Sequence, residues 1–239
     1  MNTKYPEIRG KVTSKTDVLI RANDTNVDLN QPFYAVNWFD TKVEWLYHFY
    51  NFLAVKSVRK VGGIAFFKAK VKEVLVGDAK DQRELLLIVR YPSGQQFKSL
   101  MQSTYFKMVS IFRILSVSKF TFGFTHKIQL DKTSKKSDGL HYAIHHFKTQ
   151  KDSTKVINQL SQYLPKEVQI KYTGAMIANL YSQEKGAAAS QIPNLMDAII
   201  IVQSKDEAAI RAVFASTTYQ NTLQKLTSSS SISLLNRIF

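Results

Sequence analysis

Phe33-Tyr34-Ala35-Val36-Asn37-Trp38-Phe39 is echoed downstream by His141-Tyr142-Ala143-Ile144-His145-His146-Phe147. Tyr, Ala, a β-branched residue and Phe recur 108 positions apart. Three further blocks follow in the same order. Gly63-Ile64-Ala65 aligns with Gly174-Ala175-Met176 at an offset of 111, and Leu86-Leu87-Ile88-Val89 with Ile199-Ile200-Ile201-Val202 at 113. Ser103-Thr104-Tyr105-Phe106 aligns with Ser216-Thr217-Thr218-Tyr219, again at 113. Four blocks in fixed order at near-constant spacing read as a duplicated unit.

Each copy spells the same series of elements. The first block, rich in aromatic and β-branched residues, suits a strand. A helical pattern follows, with Leu46, Tyr50 and Leu53 in one half and Val156, Leu160 and Leu164 in the other. A glycine is expected to close each helix, at Gly62-Gly63 and at Gly174. A long strand begins at Ile64, with its counterpart at Ala175–Tyr181, and turns are expected at Gly77-Asp78 and Gly186–Pro193. The nearly continuous apolar runs Leu85–Val89 and Ala198–Val202 indicate strands covered on both faces. Ser93 and Asp206 stand where N-caps belong, ahead of further helical patterns. Lys119-Phe120-Thr121-Phe122-Gly123-Phe124 alternates with period two, and Ser231–Phe239 is its looser copy.

The order βαββαβ, read twice, predicts an α+β protein of two ferredoxin-like repeats. The Phe120, Phe122 and Phe124 face cannot rest in water as a contiguous patch. Two such antiparallel sheets are expected to pack face to face as a pseudo-dimeric α/β barrel, covering those faces within one chain. The expected organisation is an N-terminal arm over residues 1–30, with one strand at most around Val18–Ile20. A first repeat over 31–128, a polar linker over 129–139 and a second repeat over 140–239 follow. Internal pairing of this kind predicts a monomer or a weak homodimer.

The 239 residues contain no cysteine, which excludes a disulfide framework, thiolate chemistry and cysteine metal sites. The N-terminus has no apolar leader pattern and no stretch is long and apolar enough to span a bilayer, so a cytoplasmic protein with no membrane partner is expected. The net charge is +15. Residues 1–130 carry +10 and residues 131–239 carry +5, with no basic arm. The excess therefore reads as a solvated surface, and salt-dependent nucleic-acid binding is the third-ranked function. The Lys68, Lys70 and Lys72 row on one strand face is read as protective of a sheet edge.

At this point the first half resembles small, functionally uncharacterised bacterial domains of the dimeric α/β-barrel superfamily. The residues that carry the likeness are Tyr34, Gly62-Gly63, Gly77, Tyr91-Pro92-Ser93, Ser103 and Arg113. Phe106 stands where that family has Tyr. The second half keeps Tyr142, Gly174, Ser216 and Tyr219 but has Leu226 in place of the arginine. The resemblance covers residues 33–127, and 140–239 more faintly. The wider superfamily includes cofactor-free monooxygenases, lactone isomerases, haem peroxidases and ligand-sensing domains, so the fold leaves the function open.

Candidate site residues follow from strand alternation and the repeat. Tyr34, Asn37, Trp38, Tyr142, His145 and His146 are expected to line an aromatic cavity with a few polar handles, as small-molecule sites are usually built. Arg90 and Arg113 are candidate holders of an anion. The histidines lack accompanying carboxylates, so neither a metal nor a cofactor is expected. No phosphate loop, nucleophile elbow or zinc-protease motif is present in the sequence. The leading expectation is a small-ligand binding or scaffold protein for an anionic or aromatic molecule. The alternative is a cofactor-independent oxygenase or isomerase, with His145 or His146 as proton acceptor and Arg113 or Arg90 as anion holder.

Overall fold

The computed structural model describes residues 7–11, 16–22, 30–77, 83–130, 139–184 and 196–238. Most of the expected linker, the Gly186–Pro193 turn and Asp78 lie outside them. The chain divides into two compact units. One comprises residues 1–68, 83–125 and 178–187, the other 69–82, 126–177 and 188–239.

The strands are β1 (Glu7–Lys11), β2 (Thr16–Ala22), β3 (Phe33–Thr41), β4 (Ile64–Val76), β5 (Leu85–Tyr91), β6 (Val117–Leu130), β7 (His141–Lys148), β8 (Gln169–Glu184), β9 (Ala198–Ser204) and β10 (Ser229–Arg237). The helices are α1 (Glu44–Lys60), α2 (Gly94–Gln102), α3 (Thr104–Ser116), α4 (Ser153–Ser161), α5 (Glu207–Ala215) and α6 (Thr217–Leu226). In the first half the strands lie in the order β6-β3-β5-β4, and in the second β10-β7-β9-β8. Both are the fourth-first-third-second order of a ferredoxin-like layer.

Three long strands, β4, β6 and β8 with 13, 14 and 16 residues, are each divided between units. Residues 69–76 of β4 pair with β10 in the second unit, and residues 178–184 of β8 pair with β2 in the first. The ladders run from β8 through β6, β3, β5, β4, β10 and β7 to β9. Because β8 also pairs with β9, the antiparallel hydrogen bonding closes as an eight-stranded barrel. This corrects the expectation of two separate sheets packed face to face. The physical reason is strand length, since β4 and β8 run far beyond the usual five or six residues and find a second partner. It also removes the edge assigned to the lysine row, because β4 has neighbours on both sides.

Four other expectations change. The N-terminal segment holds two strands, β1 and β2, paired from Glu7↔Arg21 to Lys11↔Asp17. The second helical stretch of each half is two helices, broken at Ser103 and Ser216, so each half reads βαββααβ. Ser103 explains its break: its Oγ accepts from the Phe106 N–H and starts α3 as an N-cap. Gly174 closes no helix; it lies inside β8 opposite Ile199, and α4 has already ended at Ser161. Finally, Phe120, Phe122 and Phe124 face the helices. Phe122 and Phe124 meet edge-on at 4.7 Å, and Phe97 of α2 lies 5.2 Å from Phe124. Alternation gave the period of β6 correctly but not which face the helices cover.

Several local signals act as read. The Ser93 Oγ accepts from the Gln96 N–H, and Asp206 Oδ1 from the Ala208 N–H at 2.8 Å. Gly62 takes φ +73°, and the Gly63 N–H donates to the Val58 carbonyl at 2.8 Å, closing α1. A Cβ on Gly63 would stand 2.6 Å from Val58 Cγ1 and 2.9 Å from the Val58 carbonyl oxygen. Gly63→Ala is therefore expected to destabilise the fold by about 1–3 kcal/mol. Urea denaturation checks this, and an unchanged midpoint would show that α1 ends differently.

The first unit's core joins Phe33, Phe39, Tyr47, Tyr50, Phe106 and Phe122 between sheet and helices. The second unit's core joins Phe147, Leu160, Ile200, Phe214, Tyr219 and Leu223 in the same layer.

Candidate functional site

β3 presents Asn37 to the helix side and Tyr34 and Trp38 to the other side, as period-two alternation requires. β7 does the same with His145 on the helix side and Tyr142 and His146 opposite. The six residues read as one cavity wall therefore belong to different faces.

In the first unit, Asn37 and Arg113 meet at one small cleft between the sheet and helices α1 and α3. Tyr47, Tyr50, Phe120 and Phe122 complete most of its wall. Its volume is about 30 Å³, room for one or two waters. The Asn37 amide donates to the Leu87 and Ala35 carbonyls at 3.2 and 3.3 Å. Both amide hydrogens are thus committed to backbone, and the side-chain carbonyl oxygen remains as the polar handle. Arg113 lies in the last turn of α3, with its guanidinium carbon 5.5 Å from the Phe120 ring centre. That position suits both the helix C-terminus and a cation–π contact. Burial pushes the Tyr47 phenol up to about 12, against smaller lowering effects of Asn51 and Arg113. Tyr47 therefore stays protonated at neutral pH. This constellation can bind and donate hydrogen bonds; it holds no base poised near neutrality.

Arg90 pairs with Tyr34 across the β3–β5 ladder. Burial raises the Tyr34 pKa, and the nearby Arg90, which hydrogen-bonds the phenol, partly offsets that rise.

In the second unit, His145 is fully buried, with Nδ1 2.9 Å from the Tyr219 hydroxyl. Its Nε2 has no hydrogen-bond partner among the described residues. Burial, then the neighbouring His146, pushes its pKa down to about 3. The ring is a neutral core imidazole beside Phe147 and Phe214. Tyr142, on the other face, accepts from Arg237 at 2.8 Å. His141 turns instead to Glu207, at 3.2 Å.

Glu207 also meets Lys72 and Arg211, and Arg211 reaches Glu73. Lysine and arginine hydrogen bonds hold the Glu207 carboxyl down at about 2. Among the described residues, no three His, Asp or Glu side chains gather as metal ligands.

Sequence reasoning did not name Tyr47, and it named Tyr50 and Tyr219 only as helix and repeat positions, not as site residues. For Tyr219 a signal existed: the repeated serine block places it opposite Phe106, as His145 stands opposite Asn37. A polar pair in one copy against Asn and Phe in the other marks a local divergence between the halves.

No family model matches the chain, and no curated protein matches it. Solved structures do. A protein from Fusobacterium nucleatum described as a "putative monooxygenase" superposes with TM-score 0.55 at 11% identity, covering 89% of this chain and 94% of its own. A protein of the same description from Lactobacillus acidophilus gives 0.50 at 11% identity, covering 87% and 94%. An "anthrone oxidase-like protein" gives 0.50 at 10% identity, covering 91% and 94%. The fold is that of the dimeric α/β barrels. At these identities the likeness establishes the fold alone, and an activity has to be argued from the site.

Proposed function

We propose that this dimeric α/β-barrel chain is a small-ligand-binding protein that takes a planar aromatic anion at the cleft beside Asn37 and Arg113. One observation carries the proposal: Arg113, Asn37 and Tyr47 line one cleft together with aromatic side chains. Such a set matches a carboxylate or enolate on an aromatic ring, the guanidinium meeting the charge and the rings the flat face. The resting cleft is smaller than the ligand, so Phe120 and Arg113 swing outward on binding.

Titration with 2-naphthoate, followed by calorimetry and by tyrosine ring resonances, tests this. Saturable binding of one ligand per chain is expected, with Arg113→Gln weakening it about 10- to 100-fold. Absence of binding by the parent chain at millimolar ligand would sink the proposal.

A second reading is a cofactor-independent oxygenase, supported in its oxygenase part by the names of the similar structures. His145 is a poor base for it, being enclosed and neutral. Tyr47 would act there as proton donor beside Arg113. Oxygen uptake with anthrone as substrate tests this reading, and a rate equal to the protein-free blank removes it.

A further inference from the structure

We infer that the outer face of helices α1 and α3 is the seat of a second copy of this chain. α1 carries large apolar residues on opposite faces, which is the mark of a helix covered on both sides. Tyr47, Tyr50 and Ala54 face the core, yet Trp45, Phe49 and Phe52 stand 70%, 43% and 75% exposed. α3 repeats the pattern. Phe106 and Val109 are buried, while Met108, Ile111 and Leu115 are 56%, 55% and 55% exposed. The two helices lie side by side, antiparallel, since Phe49 stacks edge-on against Phe112 at 5.3 Å and the Tyr105 hydroxyl donates to the Leu53 carbonyl. The six exposed side chains therefore form one patch.

Area identifies the class of occupant. At roughly 200 Å² per large apolar side chain, these exposures leave about 700 Å² of apolar surface. That exceeds the roughly 300–600 Å² of the largest patch on a typical monomer. It approaches the roughly 800 Å² that each partner contributes to a standard interface.

Charge identifies the partner as a second copy. Trp45, Phe49, Phe52 and Lys56 follow one another at helical spacing along a single stripe of α1. The stripe begins beside Glu44 and ends at Arg59 and Lys60. Two α1 helices laid antiparallel about a two-fold axis at Phe52 set Glu44 of each copy against the basic end of the other. An interface of this kind is self-complementary, as two-fold symmetry demands. A lipid surface would use the apolar stripe but would leave Glu44 facing anionic headgroups.

Sedimentation velocity of the full chain over a range of micromolar concentrations tests the inference. The expected species has twice the 27.3 kDa chain mass. Phe52→Glu is expected to weaken association about 30-fold or more with an unchanged circular dichroism spectrum, because Phe52 contributes little to the core. The chain has no cysteine, so Phe52→Cys reports on the axis directly, and rapid oxidation to a covalent dimer is expected. A chain that stays monomeric throughout overturns the inference, whether or not it co-sediments with phosphatidylserine vesicles. So does a dimer that tolerates Phe52→Glu, or a Phe52→Cys variant that does not cross-link.

Discussion

Between pH 7 and pH 4 the protein is expected to lose about 3 kcal/mol of stability through the single imidazole of His145. The sign follows from burial. In the folded chain its pKa is pushed down from 6.5 to about 3, so the native state holds the ring neutral. An unfolded chain exposes the ring and protonates it below pH 6.5. The unfolded state therefore binds more protons through this interval, and stability falls with acidification at up to about 1.4 kcal/mol per pH unit. Among the described residues no carboxylate stands near to offset the charge: His145 meets Tyr219, Phe147, Phe214 and His146, and none of them supplies a negative charge at these pH values. The Glu207 network also loses stability in acid, but in a lower window. Its folded pKa is about 2 and its ordinary value 4.5, so its contribution is complete above 4.5 and fades below it. Urea midpoints measured between pH 7 and 5 thus stay above the Glu207 window. His145→Asn keeps an acceptor near the Tyr219 hydroxyl and cannot titrate, so the slope in that interval is expected to flatten. A parent protein whose stability is level from pH 7 to 5 would show that water reaches the ring.

His145 also shows where sequence reading reaches and where it stops. Its strand, its period and its partner position in the other half, Asn37, are all legible, because each depends on local alternation or on the repeat. The layer that covers the strand is not local information. The same alternation that places His145 and Phe147 together is silent on whether helices or another strand layer lie above them. Asn37 and Trp38 are adjacent in sequence and read as neighbours in one cavity, yet a pleated strand sends them to opposite faces. Arg113 and Asn37 come together only because α3 packs over β3 and β6, a contact between residues 76 positions apart. The ferredoxin-like order is readable from the succession of elements. The sharing of β4 and β8 between units is not, since a long strand looks the same whether its far half has one partner or another. The apolar outer stripe of α1 is hidden for a related reason: periodicity shows an apolar helix but not which of its residues the fold leaves outside.

Replacing Phe122 by alanine is expected to cost about 3–5 kcal/mol, the usual range for removing a buried aromatic ring, whereas Thr121→Ala beside it should be neutral or slightly stabilising. The contrast rests on the face each residue takes. Phe122 sits in the helix-side core, edge-on to Phe124 at 4.7 Å and stacked on Phe97 at 6.2 Å. Its loss removes ring contacts and leaves a void that the β6 backbone, held in a ladder with β3, cannot collapse into. Thr121 is buried on the opposite face, its hydroxyl lacking a hydrogen-bond partner among the described residues. Deleting that hydroxyl removes a desolvation cost and takes no bond with it. Chemical denaturation of the two variants gives both numbers. Should Thr121→Ala prove the costlier change, the face assignment of β6 would be reversed and the helix-side core would lose its central ring. Phe122 also lines the cleft beside Asn37 and Arg113, so its truncation joins the new void to the existing 30 Å³. The void left by the ring is bordered by Phe39, Tyr50, Phe120 and Leu87, with Asn37, Tyr47 and Arg113 on the cleft side, and its apolar part is the kind of space that takes up benzene. Saturating benzene is therefore expected to raise the midpoint of Phe122→Ala and to leave the parent protein unchanged, since ligand bound only by the folded state adds its binding free energy to stability. Recovery in the variant alone would show that the cleft and the core are one continuous space, closed in the parent chain by a single phenyl ring.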